Sequence, residues 1–304
     1  MRVLSLFDGM SCGRIALDRA GIDVEKYHSS EVDKHAIQVS NDNYPDIVRL
    51  GDVEKWPEWD IDWSSIDLIL AGSPCQGFSF AGDCLEFDDP RSKLFFEYAD
   101  ILNQIKKVNP NVKSLLENVK MKQRCISVIS DKLEIEPIEI DSRLVSGQNR
   151  KRLYWCNWNV EQPHDKNILF SDVIQPESEI EDVMYYKEKS IAYMNRGSDK
   201  WQQAGDCRMD RYLQTREKEK SFTLTANMHK GAPYNFCLFG DRYRKLTPIE
   251  CERLQTVPDN YTQSVSNTQR YKMLGNGWTV DVIAHILKSM DTEKKPEQQG
   301  DLFA

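Results

Sequence analysis

The hydrophobic pattern of the first fifty residues predicts strands and helices in alternation. Residues 3–7 form an apolar run too short for a helix, and a glycine-containing turn leads from it into a helix over residues 14–20. A second strand over 26–30 precedes a helix that Asp33 caps, and a third strand covers 48–53. This alternation is typical of an α/β fold with a parallel sheet.

The same pattern continues through the middle of the chain. Residues 68–71 are apolar without alternation, which predicts a strand buried on both faces. A helix over 91–108 follows. Three more strands are predicted after it, over 114–116, 135–140 and 153–156. Near the end, a further helix is predicted over residues 281–290. We therefore expect one large α/β domain, and the chain length leaves room for a second, smaller one.

Three predicted strands end in an acidic residue: Asp8, Glu31 and Asp52. Because the carboxyl ends of parallel strands meet at one edge of a sheet, these carboxylates are expected to surround one ligand. The chain has no P-loop and no basic cluster for a pyrophosphate, which favours a nucleoside without phosphates. The missing pyrophosphate glycines also disfavour a nicotinamide-dependent enzyme.

Chemically reactive side chains follow the later strands. Cys75 comes directly after the strand over 68–71 and a Gly-Ser-Pro turn, and Glu117 leaves the next apolar strand. Alone, such a cysteine is more often a small apolar residue at the end of a core strand. Arg150 and Arg152 alternate into another strand and so point to the same side, although a solvated basic turn has the same pattern.

Composition limits the partners and the location. With 40 basic and 48 acidic residues the formal charge is −8, so any nucleic-acid surface must be a local patch. No run reaches transmembrane length, and the apolar start meets Asp8 too early for a signal peptide, which predicts a cytoplasmic protein without membrane contact. The eight cysteines and five histidines form no ligand cluster, so no metal is expected.

The order of these segments resembles the DNA cytosine-5 methyltransferase family. Short segments distributed along nearly the whole chain are similar to the motifs of that family. They lie at residues 7–9, 31, 52, 73–76, 117–119, 148–152, 246–259 and 275–280. Ser-Pro-Cys at 73–75 and the pattern at 91–97 lean toward the branch containing the animal de novo enzymes, in what we expect to be a bacterial or phage member. Thr256-Val257 departs from the usual Gly-Phe.

The resemblance implies a Rossmann-like S-adenosylmethionine-dependent methyltransferase sheet and a role for each matched residue. It implies that Cys75 attacks C6 of a flipped-out cytosine in a specific duplex DNA sequence, with Glu117, Arg150 and Arg152 also catalytic. Residues implied to bind the cofactor are Phe7, Asp8, Gly9, Met10, Ser11, Cys12, Glu31, Val32, Asp52, Val53, Ser73, Asn276, Gly277 and Trp278. Residues implied to contact DNA are Gln76, Gly77, Phe78, Ser79, Thr223, Thr225, Asn227 and Lys230.

The resemblance also divides the chain. Residues 1–160 are expected to form the catalytic and cofactor-binding domain, and residues 161–262 a smaller target-recognition domain. Residues 263–290 return to the catalytic domain, and 291–304 are a polar tail expected to be flexible.

Two alternative functions remain at this point: a cytosine methyltransferase of similar architecture that acts on RNA, and a catalytically inactive DNA-binding protein. The second should have lost Cys75, Glu117 or the cofactor acids, and all are present.

The polar tail ends in two adjacent apolar residues, Leu302 and Phe303. Residues 299–303, from Gln299 to Phe303, resemble the short peptides by which bacterial replication proteins dock on the sliding clamp. Gly300 departs from the leucine that is usual there. The alternative is a frayed tail whose apolar side chains tuck back onto the body.

Overall fold

A seven-stranded mixed sheet forms the centre of the molecule. The computed structural model describes residues 1–74, 90–196, 213–214, 219–230, 236–239 and 242–292. The sheet has the strand order β3-β2-β1-β4-β5-β7-β6, in which β7 runs antiparallel to both of its neighbours and the other pairs are parallel. Its strands are β1 (Arg2–Leu6), β2 (Lys26–Ser30), β3 (Val48–Gly51), β4 (Leu68–Gly72), β5 (Lys113–Val119), β6 (Ile138–Asp141) and β7 (Lys151–Cys156). This arrangement confirms the α/β class and the Rossmann-like sheet.

Helices cover both faces of the sheet. They are α1 (Cys12–Ala20), α2 (Lys34–Asn43), α3 (Pro90–Val108), α4 (Gln123–Leu133), α5 (Phe170–Val173), α6 (Glu188–Arg196), α7 (Pro248–Leu254), α8 (Asn267–Asn276) and α9 (Val280–Lys288). Leu68 and Leu70 of β4 belong to the core that α1 and α9 cover, whereas Ile69 belongs to the core under α3 and α4. The apolar run of β4 thus fills two cores, as expected for a strand buried on both faces.

The observed elements agree with most of the predicted ones. The β2 strand has the predicted bounds, and Asp33 caps α2 by accepting from the backbone N–H groups of His35 and Ala36. The third strand is shorter than predicted, because Asp52 begins a 3₁₀ turn over Val53–Glu58. Helix α4 was not predicted, although its buried residues Cys125, Ile129 and Leu133 recur at helical spacing. Among the described helices, none is both long and apolar enough to cross a bilayer.

A second, three-stranded sheet lies within the interval predicted to recognise the target. It contains β8 (Leu213–Gln214), β9 (Phe236–Phe239) and β10 (Arg242–Lys245), with β9 in the middle. A fully buried ion pair joins this sheet to α7: Arg244 donates to both carboxylate oxygens of Glu250, at 2.7 and 2.8 Å. Glu250 also accepts from the backbone N–H of Thr247, which caps α7. One carboxylate therefore holds the small sheet and a helix N-terminus together.

The buried pair predicts a large difference between two neighbouring arginines. Arg244→Met should lower the free energy of unfolding by about 3 to 5 kcal/mol, because it leaves the Glu250 carboxylate buried without its cation. Arg242→Met is the matched control, since Arg242 pairs with Asp182 at the surface and should cost less than about 1 kcal/mol. Urea denaturation followed by circular dichroism measures both. Equal losses would show that the buried pair does not hold the small sheet.

Candidate active site

A cavity of about 310 Å³ opens at the carboxyl edge of the parallel strands. Its volume falls within the range of small-molecule sites. It brings together most of the residues predicted to bind a cofactor or to act in catalysis. The predicted residues on its wall are Phe7, Asp8, Gly9, Met10, Cys12, Glu31, Ser73, Glu117, Arg150, Arg152, Asn276, Gly277 and Trp278.

Asp8 fixes the loop between β1 and α1. Its buried carboxylate accepts hydrogen bonds from the hydroxyl groups of Ser5, Ser11, Tyr27 and Ser29, at 2.5 to 2.9 Å. Burial and the Asp8 charge raise the pKa of the Tyr27 phenol well above its ordinary value, so this phenol stays a donor. Asp8 therefore acts on the cavity by shaping its loop, and Ser11 lies behind Asp8 rather than on the cavity wall.

Glu31 holds the opposite side of the same loop. One carboxylate oxygen accepts from the backbone N–H of Gly9 at 2.8 Å, and the other accepts from Val32 and Asp33 at 2.8 Å. Gly9 has φ 58°, a conformation that favours glycine. Val32, the next residue in the sequence, is 69% exposed and is not among the residues on the cavity wall. Glu31 reaches the cavity with both oxygens already oriented by the backbone.

Four predicted cofactor residues do not line the cavity: Ser11 and Val32, and also Asp52 and Val53. Asp52 is exposed and accepts from the backbone N–H of Glu54 at 3.0 Å, so its carboxylate caps a 3₁₀ turn. Val53 is buried in the core under α3 and α4. Both follow the end of β3, which is the edge strand of the sheet. Its position at the edge explains why the third acid stands apart from Asp8 and Glu31.

Glu117 stands at the centre of the cavity with two side-chain donors. Its carboxylate contacts the Arg152 Nε at 3.1 Å through one oxygen and accepts from the Trp278 indole N–H at 3.1 Å through the other. Glu117 pairs in register with Gly72 at the end of β4. The acid that leaves β5 is therefore adjacent to the segment that leads into Cys75.

Arg150 bonds to the backbone of other chain segments, and the catalytic role predicted for it stays a prediction. Its buried guanidinium donates to the backbone carbonyls of Leu224, Gly275 and Gly277, at 2.9 to 3.2 Å. Burial, helped by the neighbouring Arg152, lowers the pKa of this guanidinium to about 9, which still leaves it protonated at neutral pH. These three bonds hold the backbone at Leu224, Gly275 and Gly277, so Arg150 positions chain segments beside the cavity.

The residues around the predicted nucleophile are only partly described. Ser73 and Pro74 line the cavity, and the Ser73 hydroxyl accepts from the Asn118 amide at 3.0 Å. Cys75 and the DNA contacts predicted at Gln76, Gly77, Phe78 and Ser79 lie outside the described residues. Cys12 is the described cysteine on the cavity wall, and burial raises its thiol pKa to about 12. Cys12 is thus a neutral thiol at physiological pH, unlike an activated nucleophile.

The remaining predicted DNA contacts lie in one short segment beside the cavity. Thr223 donates to the Asn149 carbonyl at 2.5 Å, whereas Asn227 and Lys230 are exposed. The backbone of Thr225 packs directly on α8, because any Cβ at Gly275 would overlap it. The segment is therefore anchored at Thr223 and Thr225 and presents Asn227 and Lys230 to solvent.

Sequence patterns did not identify several residues of the site. Helix α8 contributes Gln269, Lys272 and Met273 to the wall, and the Lys272 ammonium lies 2.9 Å from the Asp33 carboxylate across the rim. Gln255 accepts from Gln148 at 2.9 Å and donates to the Leu274 carbonyl at 2.6 Å. The helical spacing of 269, 272 and 273 ahead of Gly275 could have indicated that one face of α8 meets the cavity.

Comparisons with known proteins agree with this geometry. Residues 1–155 and 136–292 match the model of the C-5 cytosine-specific DNA methylase family. The chain is 30% identical to the type II methyltransferase M.NlaX of Neisseria lactamica, over 95% of this chain and 96% of that protein. It is 31% identical to the type II methyltransferase M1.ScrFI of Lactococcus lactis subsp. cremoris, over 95% and 77%.

Solved structures share the fold at low sequence identity. The Entamoeba histolytica methyltransferase EhMeth superposes with a TM-score of 0.76 at 16% identity, over 97% of this chain and 99% of that one. A Spodoptera frugiperda DNMT2 mutant superposes with a TM-score of 0.67 at 20% identity, over 95% and 99%. The family expected from the order of the motifs is confirmed. The chain belongs to the C-5 cytosine-specific DNA methylase family and is a DNA (cytosine-5-)-methyltransferase, which transfers a methyl group to C5 of cytosine in DNA.

Proposed function

We propose that the cavity binds S-adenosylmethionine and a single cytosine that has been flipped out of duplex DNA. The observation that carries this proposal is the placement of Glu31 and Glu117 on the wall of one cavity, with the loop over 7–9 between them. When bound, S-adenosylmethionine supplies an electrophilic methyl group.

The wall of the cavity suits such a cofactor. Apolar side chains from Phe7, Met10 and Trp278 can cover flat or aliphatic parts of a nucleoside. The Glu31 carboxylate is a suitable acceptor for ribose hydroxyls. Among the described lining residues, the cations are Arg150, Arg152 and Lys272, and each has a protein partner. This fits a ligand without a pyrophosphate.

Cys75 is the proposed nucleophile. Its thiolate adds to C6 of cytosine, which makes C5 nucleophilic toward the methyl group. Loss of the C5 proton and departure of the thiolate then restore the ring. Cys75 follows Gly72 by three residues in the sequence, and Gly72 pairs with Glu117 in the sheet, which supports this role. The neutral thiol of Cys12 makes it a poor competitor.

Glu117 is the proposed acid of the reaction. Its carboxylate can share a proton with N3 of cytosine and accept from the exocyclic amine, which favours addition at C6. Arg152 holds one of its oxygens at 3.1 Å and can also reach the O2 edge of the base. We assign Arg150 a positioning role, because its donors are bonded to the carbonyls of Leu224, Gly275 and Gly277.

Duplex DNA is the proposed substrate, with sequence recognition in residues 161–262. Exposed Asn227 and Lys230 lie in the segment whose Leu224 carbonyl is held by Arg150 of the cavity. The hydrogen bond from Arg150 to the Leu224 carbonyl would thus connect the recognition segment directly to the catalytic site. The charge of −8 means that phosphate contacts come from local basic residues. We place this work at the nucleoid, in the cytoplasm of a bacterial or phage-infected cell, where a restriction-modification role fits the type II relatives.

The first functional prediction separates DNA from RNA substrates. With tritiated S-adenosylmethionine, label should enter unmethylated genomic DNA and not transfer RNA. Cys75→Ala should lower turnover by at least about a thousandfold, because no covalent addition to C6 remains. Cofactor binding by calorimetry should be unchanged in this variant, which controls for folding. Label entering only the RNA would contradict the DNA substrate, and full activity in Cys75→Ala would contradict the nucleophile.

A second prediction concerns the choice of sequence. Grafting residues 161–240 into a related cytosine methyltransferase should transfer the methylated sequence, as read by bisulfite sequencing. A graft of residues 161–212 alone is the matched control, since it omits the segment with Asn227 and Lys230. If the specificity of the host enzyme is retained by the longer graft, recognition lies elsewhere in the chain.

The end of the chain adds a further proposed partner. Gln299 to Phe303 lie outside the described residues, and their similarity to clamp-binding peptides supports docking of the enzyme on a bacterial sliding clamp. Tethering to the clamp would raise the concentration of the enzyme at newly replicated DNA. A fluorescent peptide of residues 291–304 should bind such a clamp, and the Leu302→Ala, Phe303→Ala peptide should bind at least about tenfold more weakly. Equal binding by both peptides, or none, would exclude the contact.

A further inference from the structure

One indole ring connects the wall of the cavity to the catalytic carboxylate. Trp278 lines the cavity, and its Nε1–H donates to a Glu117 oxygen at 3.1 Å. The other Glu117 oxygen is held by Arg152. Glu117 is buried, and it must present its carboxylate to the base in one orientation. Two donors from different parts of the chain therefore define the plane of this carboxylate.

Gly72 makes room for the ring in this position. A Cβ at Gly72, the last residue of β4, would lie 2.7 Å from the indole nitrogen, whereas a Cβ at Gly13 would be in ordinary contact with the ring, 3.5 Å from Cζ3. The ring thus rests on Gly72 at the end of β4, and Gly72 is also the residue that pairs with Glu117 in the sheet. Close contact between a bulky ring and a glycine backbone leaves the ring little freedom to rotate. The indole N–H is consequently fixed toward Glu117.

We propose that Trp278 is a positioning residue for methyl transfer and acts through Glu117. In this role the indole N–H orients the carboxylate toward N3 and the exocyclic amine of cytosine. The proposal rests on the proposed role of Glu117, and it assigns to Trp278 a function beyond lining the cofactor site. It predicts that loss of the N–H lowers the rate of catalysis while substrate binding is retained.

Trp278→Phe tests the proposal because it removes the N–H and keeps an aromatic ring in the cavity. The kcat value should fall about tenfold, as expected for the loss of one hydrogen bond to a charged group. KM for DNA and for the cofactor should stay within about twofold. In a Glu117→Gln background, Trp278→Phe should change the single-turnover rate by less than about twofold, since the indole acts through that carboxylate.

A second variant displaces the indole ring of Trp278 without changing its chemical structure. Gly72→Ala would place a methyl group against the indole nitrogen and so displace the N–H. Gly72→Ala should lower kcat by a similar factor. In the Gly72→Ala, Trp278→Phe double variant, the fold reduction in kcat should be smaller than the product of the two single reductions. A reduction in kcat equal to the product of the two single reductions would show that the two substitutions act independently, which contradicts a shared mechanism.

Trp56 provides the matched control. Its indole N–H also donates to a carboxylate, that of Glu97 at 2.9 Å, away from the cavity. Trp56→Phe should leave kcat within about twofold of the unsubstituted enzyme. A general loss of activity from removing any indole hydrogen bond would appear in both variants. A loss confined to Trp278→Phe supports the specific role.

An NMR measurement tests the bond independently of activity. The seven tryptophans give seven indole N–H signals in a ¹⁵N-labelled sample, and Trp278→Phe and Trp56→Phe each identify one by its loss. Glu117→Gln should shift the Trp278 signal and leave the Trp56 signal unchanged. An unmoved Trp278 signal, or an unchanged kcat in Trp278→Phe, would overturn the proposal. If the unsubstituted enzyme methylates nothing, the proposed function fails, whereas the NMR result still decides whether the indole holds Glu117.

Discussion

The buried guanidinium of Arg150 holds the active site together. Arg150 directly precedes β7 and donates to three backbone carbonyls, at Leu224 in the proposed recognition segment and at Gly275 and Gly277 around the end of α8. A single side chain thus connects segments more than 70 residues apart. Carbonyl acceptors at three sites satisfy a buried cation that would otherwise be costly. The positions of Trp278 and of the recognition segment both depend on this bonding.

Asp8 and Glu31 provide the corresponding organisation on the cofactor side. Asp8 accepts from four hydroxyl groups of β1, the following loop and β2, and Glu31 accepts from three backbone N–H groups. The loop between β1 and α1 therefore has its shape before any ligand arrives. Such preorganisation lowers the entropic cost of binding. The cofactor side and the base side then meet at Trp278, which lines the cavity and bonds to Glu117.

Most of the fold could be predicted from the sequence, because strands buried on both faces and capped helices leave strong local patterns. The meeting of Asp8 and Glu31 at one sheet edge followed from the rule for parallel strands, whereas Asp52, the third acid of that prediction, does not join them. The role of Arg150 could not be predicted, because carbonyl acceptors at Leu224 and Gly275 have no side-chain signature. Asp52 departs from the predicted site for a similar reason: only three-dimensional structure reveals that its carboxylate caps a turn. The indole bond to Glu117 likewise depends on the space left by Gly72.

The central claim is that Cys75, and not the cavity-lining Cys12, forms the covalent bond to cytosine. The most direct test uses duplex DNA made with 5-fluorocytosine throughout, because fluorine at C5 cannot leave as the proton does and the adduct persists. Incubation with S-adenosylmethionine, proteolysis and mass spectrometry then identify the modified peptide. If Cys75 is the nucleophile, one methylated fluorocytosine adduct will be found, on the peptide that contains Cys75. An adduct on Cys12, or methyl transfer to ordinary DNA with no adduct on any cysteine, would contradict it.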